Sequence, residues 1–286
     1  MSNPPFLLLR PPGPATNVIF SSPHSGRDYP EALVRRSRLT RRQLRASEDV
    51  LVDRLFAAAP AHGAPLLAAT APRAWLDLNR APDELDPALI EGVQARGLNQ
   101  RVAAGLGVVP RVVAEGAEIY SGKIAREEAE ERIRDVHVPF HAALEGLIEE
   151  ARARFGTAVL YDCHSMPSEA LRAAPRVRGR SPDIVLGDRF GATASRALVA
   201  RTQEAFVAAG LTVTRNAPFA GGYVTQRYGR PARGVSAIQI EIDRGLYLDR
   251  KRLEPNEDFP ELCRLIGQVV ADLVRPLAEE PPLAAE

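Results

Sequence analysis

The sequence predicts a single α/β domain with three layers, in which helices cover both faces of a mostly parallel mixed sheet. The chain has 286 residues, of which 45% are apolar and 26% are charged, as in ordinary globular domains. Short apolar runs alternate with longer amphipathic segments, as expected when crossover helices connect the strands of a parallel sheet. No linker or repeat divides the chain, so residues 1–286 are expected to form one domain, with soft ends at about 1–14 and 278–286.

The strands are predicted from short apolar runs that end in polar residues. The clearest runs are residues 17–22, 74–79, 157–163, 183–187, 211–216 and 236–243. A weaker run at residues 108–113 contains Pro110, which suits an edge strand or a loop.

The helices are predicted from apolar side chains that recur at helical spacing. This pattern covers residues 40–59, 126–155, 195–209 and 258–277. Pro139 lies inside the second segment, so we expect two helices or a kink there.

The charge balance and the cysteine content exclude several classes of protein. Lys and Arg number 37 against 36 Asp and Glu, so no global field would attract nucleic acid or an anionic membrane. The two cysteines form no CxxC motif, which fits a reducing compartment. The chain begins without a signal-peptide pattern and has no apolar stretch of the roughly 18 residues that span a bilayer. We therefore expect a cytoplasmic protein whose partner is a small molecule.

Polar motifs follow four of the predicted strands. In open α/β sheets, ligands bind beyond the carboxyl ends of the strands, so these motifs are expected to face one crevice. They are residues 20–26 (FSSPHSG), 76–80 (LDLNR), 161–165 (YDCHS) and 238–244 (IQIEIDR).

Two of these motifs contain a histidine that can take part in a zinc site. His24 and His164 each follow an apolar strand and precede small residues, which lets the imidazole project from a rigid support. A single histidine at a strand end more often only bonds to the backbone, but two at matching topological positions favour a metal site. Asp162, two residues before His164, is expected to orient that imidazole.

The sequence leaves the acidic metal ligand open. Asp28 lies four residues after His24 and can provide an oxygen. Alternatively, Glu48 and Asp49 lie at or beside the apolar face of the first predicted helix, where a buried carboxylate needs a metal, a cation or hydrogen bonds. Solvation at the helix end or pairing with an arginine would also explain them.

Glu241 is the candidate general base. Strand alternation places Gln239, Glu241 and Asp243 on one side of the last strand and three isoleucines on the other. If helices cover both faces of the sheet, burial raises the pKa of Glu241, as suits a base that accepts and returns a proton. If the polar side faces solvent, the pattern indicates only an ordinary surface.

The candidate substrate-binding residues are arginines and their neighbours. The guanidinium groups of Arg73 and Arg80 can each bind a carboxylate through two hydrogen bonds, and the Asn79 amide can bind a substrate carbonyl. Tyr223, in a Gly-rich loop predicted to form a pocket wall, can donate to a substrate oxygen, and Arg244 completes the set. This group indicates an acidic small molecule, although surface arginines and ordinary loop packing give the same pattern.

His137 and His141 lie four residues apart, which places them on one helical face. No glutamate follows His137 as in an HExxH motif, and Pro139 lies between the two histidines. Capping, packing or pocket lining is therefore the interpretation that we adopt for this pair.

Taken together, the motifs resemble those of the N-formylglutamate amidohydrolase family. The resemblance is carried by blocks in family order that span most of the chain: SPHSG at 22–26, DVLVD at 49–53, DLNR at 77–80, DCHSMP at 162–167, and GGY at 221–223 leading to QIE at 239–241. It implies a single amidohydrolase domain that hydrolyses N-formyl-L-glutamate to formate and glutamate, as in histidine degradation.

The layout is also similar to that of the zinc carboxypeptidases and of the succinylglutamate desuccinylase and aspartoacylase enzymes. This similarity implies a bound zinc, or another divalent metal, held by His24 and His164. It matches Asn79 and Arg80 to a carboxylate-binding pair, Arg73 to a preceding arginine and Glu241 to the base. Residue 27 is arginine where the HxxE motif of those enzymes has glutamate, so the acidic ligand falls to Asp28, Asp49 or another residue.

Two other functions are compatible with the sequence. One is a different N-acyl amino-acid deacylase or a carboxypeptidase, which the same residues would support. The other is a small-molecule binding protein that retains the fold without catalysis. Glu241 argues against the second, because a binding protein has little use for a base beside two histidines.

Overall fold

A computed structural model describes residues 4–13, 16–94, 97–113 and 116–275. Seven strands form one sheet and two short strands form a hairpin. The strands are β1 (Phe6–Leu9), β2 (Val18–Ser22), β3 (Leu66–Ala69), β4 (Ala158–Met166), β5 (Ile184–Gly187), β6 (Val213–Arg215), β7 (Val235–Asp243), β8 (Leu248–Asp249) and β9 (Glu254–Pro255).

Helices separate and follow these strands, beginning after β2. The α-helices are α1 (Glu31–Arg36), α2 (Arg41–Leu44), α3 (Val52–Leu55), α4 (Gln100–Ala103), α5 (Arg126–Arg132), α6 (Val138–Phe155), α7 (Arg196–Ala208), α8 (Tyr223–Tyr228) and α9 (Phe259–Leu273). Short 3-10 helices lie at Arg45–Ser47, Ala59–His62, Ser168–Ala173, Pro231–Arg233 and Arg244–Leu246.

The main sheet is mixed and mostly parallel, as predicted. Its strand order is β1-β3-β2-β4-β7-β5-β6. β2 lies parallel to β3 and β4, β4 is parallel to β7, and β5 is parallel to β6. β1 and β5 run antiparallel to their neighbours β3 and β7. The longest strands, β4 and β7, therefore lie side by side at the centre of the sheet, and their carboxyl ends point in the same direction.

Helices cover both faces of this sheet, which confirms the predicted three-layer architecture. Ile238, Ile240 and Ile242 of β7 pack with α3, α7 and α9 in one core, whereas Ile19 and Leu160 pack with α1, α6 and α8 in the other. Each of these five side chains is almost completely buried, and burial of one such side chain contributes roughly 1.5–3 kcal/mol. The polar side of β7 faces the second layer, so Gln239 and Glu241 are buried, whereas Asp243 at the end of the strand is partly exposed.

The predicted strand at 74–79 is wrong. The alternating side chains are buried, as an inward-facing strand would require, but the backbone turns instead of pairing. The Asp77 carboxylate accepts a hydrogen bond from the Asn79 backbone N–H, and the Arg80 N–H bonds the Asp77 carbonyl. Local bonding by an aspartate side chain competes with a sheet ladder. The strand that joins the sheet is β3, eight residues earlier, which the prediction missed.

The structure also decides two further expectations, one for residues 108–113 and one for the N-terminal segment. Residues 108–113 form a loop with one isolated bridge from Val112 to Glu118, in keeping with the loop alternative. The N-terminal segment is not soft throughout, because β1 pairs with β3 along its whole length. Prolines flank β1 without entering it, and an edge strand tolerates such neighbours. The predicted soft C-terminal end at 278–286 lies outside the described residues.

The predicted helix at 40–59 is broken into α2, a 3-10 turn and α3. The chain is extended at Glu48, and Leu51 has a left-handed φ of 63°, which a continuous helix cannot contain. The Asp49 backbone N–H bonds the His24 carbonyl instead of a carbonyl one turn earlier. This break moves Asp49 off the helix and towards the ends of β2 and β4.

The other helix predictions agree with the structure. The segment 126–155 divides at a π-helical turn, Ile133–His137, just before Pro139, which lacks the N–H that a regular helix needs. α7 and α9 lie within the segments predicted at 195–209 and 258–277, although residues 276–277 are outside the described part. Within the described ranges, no helix has both the length and the apolar character needed to cross a bilayer.

Candidate metal centre and substrate cavity

A cavity of about 700 Å³ opens at the carboxyl ends of β2, β4 and β7. All four polar motifs that were predicted to share a crevice line it, which confirms that prediction. Their contributions are His24, then Asp77, Asn79 and Arg80, then His164 and Ser165, and finally Gln239, Glu241 and Arg244. Residues 218–222 form one wall, so Gly221 and Gly222 of the predicted Gly-rich loop line the cavity, whereas residues 223–228 form α8 and do not.

Three buried side chains meet at the floor of this cavity. His164 Nδ1 lies 2.9 Å from Asp49 Oδ2 and 3.1 Å from His24 Nδ1, and His24 Nδ1 lies 3.3 Å from Asp49 Oδ2. In a tetrahedral zinc site with ligand distances near 2.0–2.1 Å, two ligand atoms are about 3.3 Å apart. The spacing of these three atoms therefore fits a small divalent cation between them.

The outer contacts of the two imidazoles fix which nitrogen faces this centre. His24 Nε2 lies 2.7 Å from Asp77 Oδ1, and His164 Nε2 lies 2.9 Å from Asp162 Oδ2. An ionised carboxylate only accepts hydrogen bonds, so each Nε2 carries the hydrogen and each Nδ1 presents a lone pair. Two lone pairs and a carboxylate oxygen that face one another require a positive charge. The described residues thus contain a buried His-Asp-His group that can bind a metal.

The electrostatics of the group agree with this requirement. Burial by itself raises the pKa of Asp49, but protonated His164 and His24, which supply the positive charge when no cation lies between the three groups, outweigh burial and hold that pKa well below the usual range. Burial lowers the pKa of His164, yet the Asp162 carboxylate and its hydrogen bond raise that pKa well above the usual value. The surrounding carboxylates therefore favour positive charge at this centre.

Asp28 lies outside this group. Its side chain is exposed and does not line the cavity, whereas Asp49 is 2% exposed and touches both histidines. Of the two acidic ligands that the sequence left open, the structure brings only Asp49 to the histidines. Glu48 turns away and pairs with Tyr29 and Arg45.

Glu241 lies beside the metal-binding group. It pairs directly with His164 across the β4–β7 ladder, lines the cavity and accepts a hydrogen bond of 2.8 Å from Gln239 Nε2. Burial raises the pKa of Glu241 to about 7. The hypothesis that Glu241 is a base required helices to cover the polar side of its strand, and they do so. Gln239 also accepts a bond from the Gly222 N–H, so one amide holds both Glu241 and the loop wall.

Two of the predicted substrate-binding arginines are held by carboxylates of the centre. Arg73 Nε donates to Asp77 Oδ2 at 3.0 Å. Arg244 donates to Asp49 Oδ1 at 2.8 Å and to Ser165 Oγ at 3.1 Å. Both arginines line the cavity, but these contacts orient Asp77, which bonds His24, and Asp49 of the His-Asp-His group.

Arg80 lies in the same cavity with a different set of contacts. Its Nε donates to the Leu106 carbonyl at 3.0 Å, and its terminal nitrogens bond no described residue. Burial lowers the pKa of Arg80, and the charges of Arg73 and Arg101 act in the same direction. Arg101, on α4, also lines the cavity and was missed by the sequence analysis, because nothing in its local sequence indicates where α4 packs. Two arginines that line one cavity and whose charges interact favour a ligand with two negative charges.

Asn79 and Tyr223 have contacts that differ from the prediction. The Asn79 amide bonds Asp162 Oδ2 and the Val224 backbone N–H, and the absence of a Cβ at Gly222 allows this close approach. The Asn79 amide therefore holds Asp162 through its nitrogen and the loop through its oxygen. Tyr223 does not line the cavity, since it packs on the imidazoles of His137 and His141 and its hydroxyl accepts a bond from Arg227.

His137 and His141 are buried beneath the cavity, in keeping with the packing role adopted from the sequence. His141 Nε2 donates to the Leu78 carbonyl at 2.9 Å, and its Nδ1 accepts from the Tyr228 hydroxyl at 2.9 Å. His137 Nε2 donates to the Arg80 carbonyl at 3.0 Å. Both rings are neutral in this arrangement, and burial lowers the pKa of His141 to about 3.

This neutral ring predicts a loss of stability in acid. In the unfolded chain His141 titrates near pH 6.5, so below that pH the unfolded state gains a proton that the folded state does not bind. The free energy of unfolding should therefore fall by about 3 kcal/mol between pH 7 and pH 4 through His141. The fall is measured by urea unfolding at pH 7 and pH 4 of the chelator-treated wild-type protein and of the chelator-treated His141→Gln variant. Equal losses in the two proteins would contradict it.

Comparison with known proteins identifies related sequences. A family model described as N-formylglutamate amidohydrolase matches residues 16–248. The N-formylglutamate deformylase of Pseudomonas aeruginosa is 32% identical over 230 residues, which is 79% of each chain. The N-formylglutamate deformylase of Pseudomonas putida is 29% identical over 263 residues, or 91% of each chain.

Solved structures give the same result. The crystal structure of an N-formylglutamate amidohydrolase from Ralstonia eutropha JMP134 superposes with a TM-score of 0.87 at 36% identity, covering 94% of this chain and 98% of that one. A gene product of Agrobacterium tumefaciens, at 18% identity, has a TM-score of 0.63 over 95% and 96% of the two chains and shares the fold.

Proposed function

The chain belongs to the N-formylglutamate amidohydrolase family, and we propose that it is a zinc-dependent enzyme that hydrolyses N-formyl-L-glutamate to formate and L-glutamate. One observation carries this proposal. The ligand atoms of His24, Asp49 and His164 form a triangle with edges of 2.9–3.3 Å, and Glu241 lies on the adjacent strand within the same cavity.

The metal would be held by His24 Nδ1, Asp49 Oδ2 and His164 Nδ1. When bound, zinc supplies a Lewis acid that polarises the formyl carbonyl and makes water more acidic. Asp77 and Asp162 keep the two imidazoles in the tautomer that presents Nδ1 to the centre. Arg244 bonds Asp49 Oδ1, so the other oxygen of this carboxylate is directed to the histidines.

Glu241 serves as the general base and then as the general acid. Its carboxylate takes a proton from the attacking water as the C–O bond to the formyl carbon forms. The same proton passes to the amide nitrogen as the C–N bond breaks, which releases glutamate and formate. The Gln239 amide keeps one carboxylate oxygen of Glu241 in place, so the other oxygen carries the proton.

The two substrate carboxylates are bound by Arg80 and Arg101. Arg80 is the better ordered of the two, because it is 8% exposed and its Nε is held by the Leu106 carbonyl. Its terminal nitrogens can therefore make two parallel hydrogen bonds with the side-chain carboxylate. These contacts hold the formyl group against Glu241, and such positioning accounts for much of the rate of enzymes of this kind.

The proposal is tested by metal analysis of the purified protein together with formate release from N-formyl-L-glutamate. We expect about one zinc per chain and turnover that stops with a chelator and returns with zinc. N-acetyl- and N-succinylglutamate, assayed in parallel, report the acyl preference. Folded, zinc-supplemented protein that releases no formate would overturn the proposed activity, and full activity in the chelated protein would overturn its zinc dependence.

Arg80→Lys tests how the acidic side chain is recognised. Lysine keeps the charge but lacks the planar fork, so a two-point contact with a carboxylate should weaken. We expect kcat/KM to fall about tenfold more for N-formylglutamate than for N-formylglutamine, which lacks the side-chain carboxylate. Arg126→Lys, on the exposed face of α5, is the matched control. Equal losses on the two substrates would assign Arg80 to the fold or to the α-carboxylate.

A further inference from the structure

The backbone carbonyls on either side of Asn79 are both held by histidines of one helical segment. His141 Nε2 donates to the Leu78 carbonyl at 2.9 Å, and His137 Nε2 donates to the Arg80 carbonyl at 3.0 Å. The two imidazoles are packed together, with ring centroids 4.1 Å apart. Two imidazole N–H groups thus hold the turn that carries Asn79 and Arg80.

This turn has no sheet ladder to hold it. Its own backbone contributes a bond from the Asp77 N–H to the Val108 carbonyl and a bond of 3.3 Å from the Arg80 N–H to the Asp77 carbonyl. Without the imidazoles, the carbonyls of Leu78 and Arg80 would lose the hydrogen bonds that the two Nε2 atoms donate. An unpaired carbonyl inside the protein costs free energy of folding. The histidines therefore replace the strand pairing that the sequence pattern at 74–79 predicted.

Neighbouring elements fix the donors in turn. The Tyr228 hydroxyl, on α8, bonds His141 Nδ1 at 2.9 Å, so His141 presents the hydrogen of Nε2 to Leu78. The π-helical turn Ile133–His137 ends at His137, and π-turns shift the helix register at many functional sites. Both rings are less than 5% exposed. The arrangement is rigid and directed at a single turn.

We propose that His137 and His141 are positioning residues, which clamp the Leu78–Asn79–Arg80 turn so that the Arg80 guanidinium faces the substrate carboxylate. The inference rests on the proposed function for the identity of the substrate. Neither histidine lines the cavity, so neither is assigned a contact with substrate. If the pair served only to fill space, apolar side chains of similar volume would replace them without loss of binding.

The test compares leucine and glutamine at each position. Leucine keeps much of the volume and removes the donor, whereas the glutamine amide nitrogen can reach the place of Nε2 and donate. We expect His137→Leu and His141→Leu to raise the KM for N-formylglutamate by about tenfold or more, with a smaller change in kcat. His137→Gln and His141→Gln should stay within about threefold of the wild-type KM. His62→Leu, an exposed histidine in a distant turn, is the matched control.

A second measurement does not depend on turnover. Calorimetric titration of the zinc-loaded protein with glutarate, a dicarboxylate without an amide, should show the same loss of affinity in the leucine variants. In an Arg80→Ala background, His137→Leu should change the glutarate Kd by less than about threefold, because the histidine acts through Arg80. Equal losses of glutarate affinity in the leucine and glutamine variants would contradict the proposed clamp. Independent, additive effects of His137→Leu and Arg80→Ala on the glutarate Kd would contradict it as well. Absence of formate release by the wild-type protein would overturn the proposed activity alone, since the glutarate titration still tests the clamp.

Discussion

Glu241→Gln is expected to lower kcat for N-formylglutamate by at least ~10²-fold while the protein keeps its bound zinc. The amide is nearly isosteric with the carboxylate, and its oxygen can still accept the hydrogen bond from Gln239 Nε2. The variant therefore retains the packing of β7 but has no group that can accept a proton from water. Initial rates of formate release, measured with saturating substrate, give the change in kcat directly.

The matched control is Asp86→Asn, a second buried carboxylate that is replaced by its amide. Asp86 pairs with Arg111 and does not line the cavity, so the loss of its charge should reduce stability and leave kcat nearly unchanged. Metal content and thermal unfolding are measured for both variants. If Glu241→Gln unfolds at a lower temperature and its kcat stays near that of the wild type, Glu241 is a structural residue and not the base.

Asp49→Ala is expected to reduce zinc affinity by at least ~10²-fold and to remove nearly all turnover. Loss of an outer contact to a metal ligand already costs 10–100-fold in affinity, and Asp49 supplies one of the three atoms of the centre. Removal of this carboxylate also leaves the Arg244 guanidinium near the two histidines without its partner, so a cation is repelled as well. Zinc content after dialysis, and competition with a coloured chelator, measure the affinity.

Asp28→Ala is the matched control for this experiment. Asp28 is the other acidic residue that the sequence offered as a ligand, and it is exposed outside the cavity. Its removal should leave zinc affinity and formate release unchanged. Stoichiometric zinc in Asp49→Ala, or loss of zinc in Asp28→Ala, would show that the metal is not held by the His24–Asp49–His164 group.

Most of the sheet could be predicted from the sequence, because the central strands have strong local signals. β4 and β7 combine apolar side chains that alternate between two covered faces, and polar residues at their carboxyl ends. The side-chain period of two places Glu241 on the face opposite the isoleucines whatever the surroundings. Parallel pairing then brings the end of β7 beside the end of β4, so His164 and Glu241 meet.

The secondary-structure predictions that are wrong concern segments whose backbone bonds side chains or distant carbonyls. Residues 74–79 have the alternation of a strand, but the Asp77 carboxylate and the imidazoles of His137 and His141 satisfy the backbone in a turn. Residues 40–59 have helical spacing, but the helix breaks where Asp49 bonds the His24 carbonyl. Propensity and periodicity describe one segment at a time, whereas the contacts of His137, His141 and His24 come from other segments of the chain.

Local patterns are enough to predict the α/β layers, the two strand-end histidines and the position of Glu241, since each follows from a period or a strand end within a few residues. Packing between distant segments distinguishes Asp49 from Asp28, places Arg101 in the same cavity as Arg80 and brings His137 and His141 beneath the Asn79 turn. The physical reason is distance along the chain. Asp49 and His164 are 115 residues apart, and their contact depends on how the broken helix packs against the sheet. A ligand set of this kind is a property of packing, which no local pattern in the chain contains.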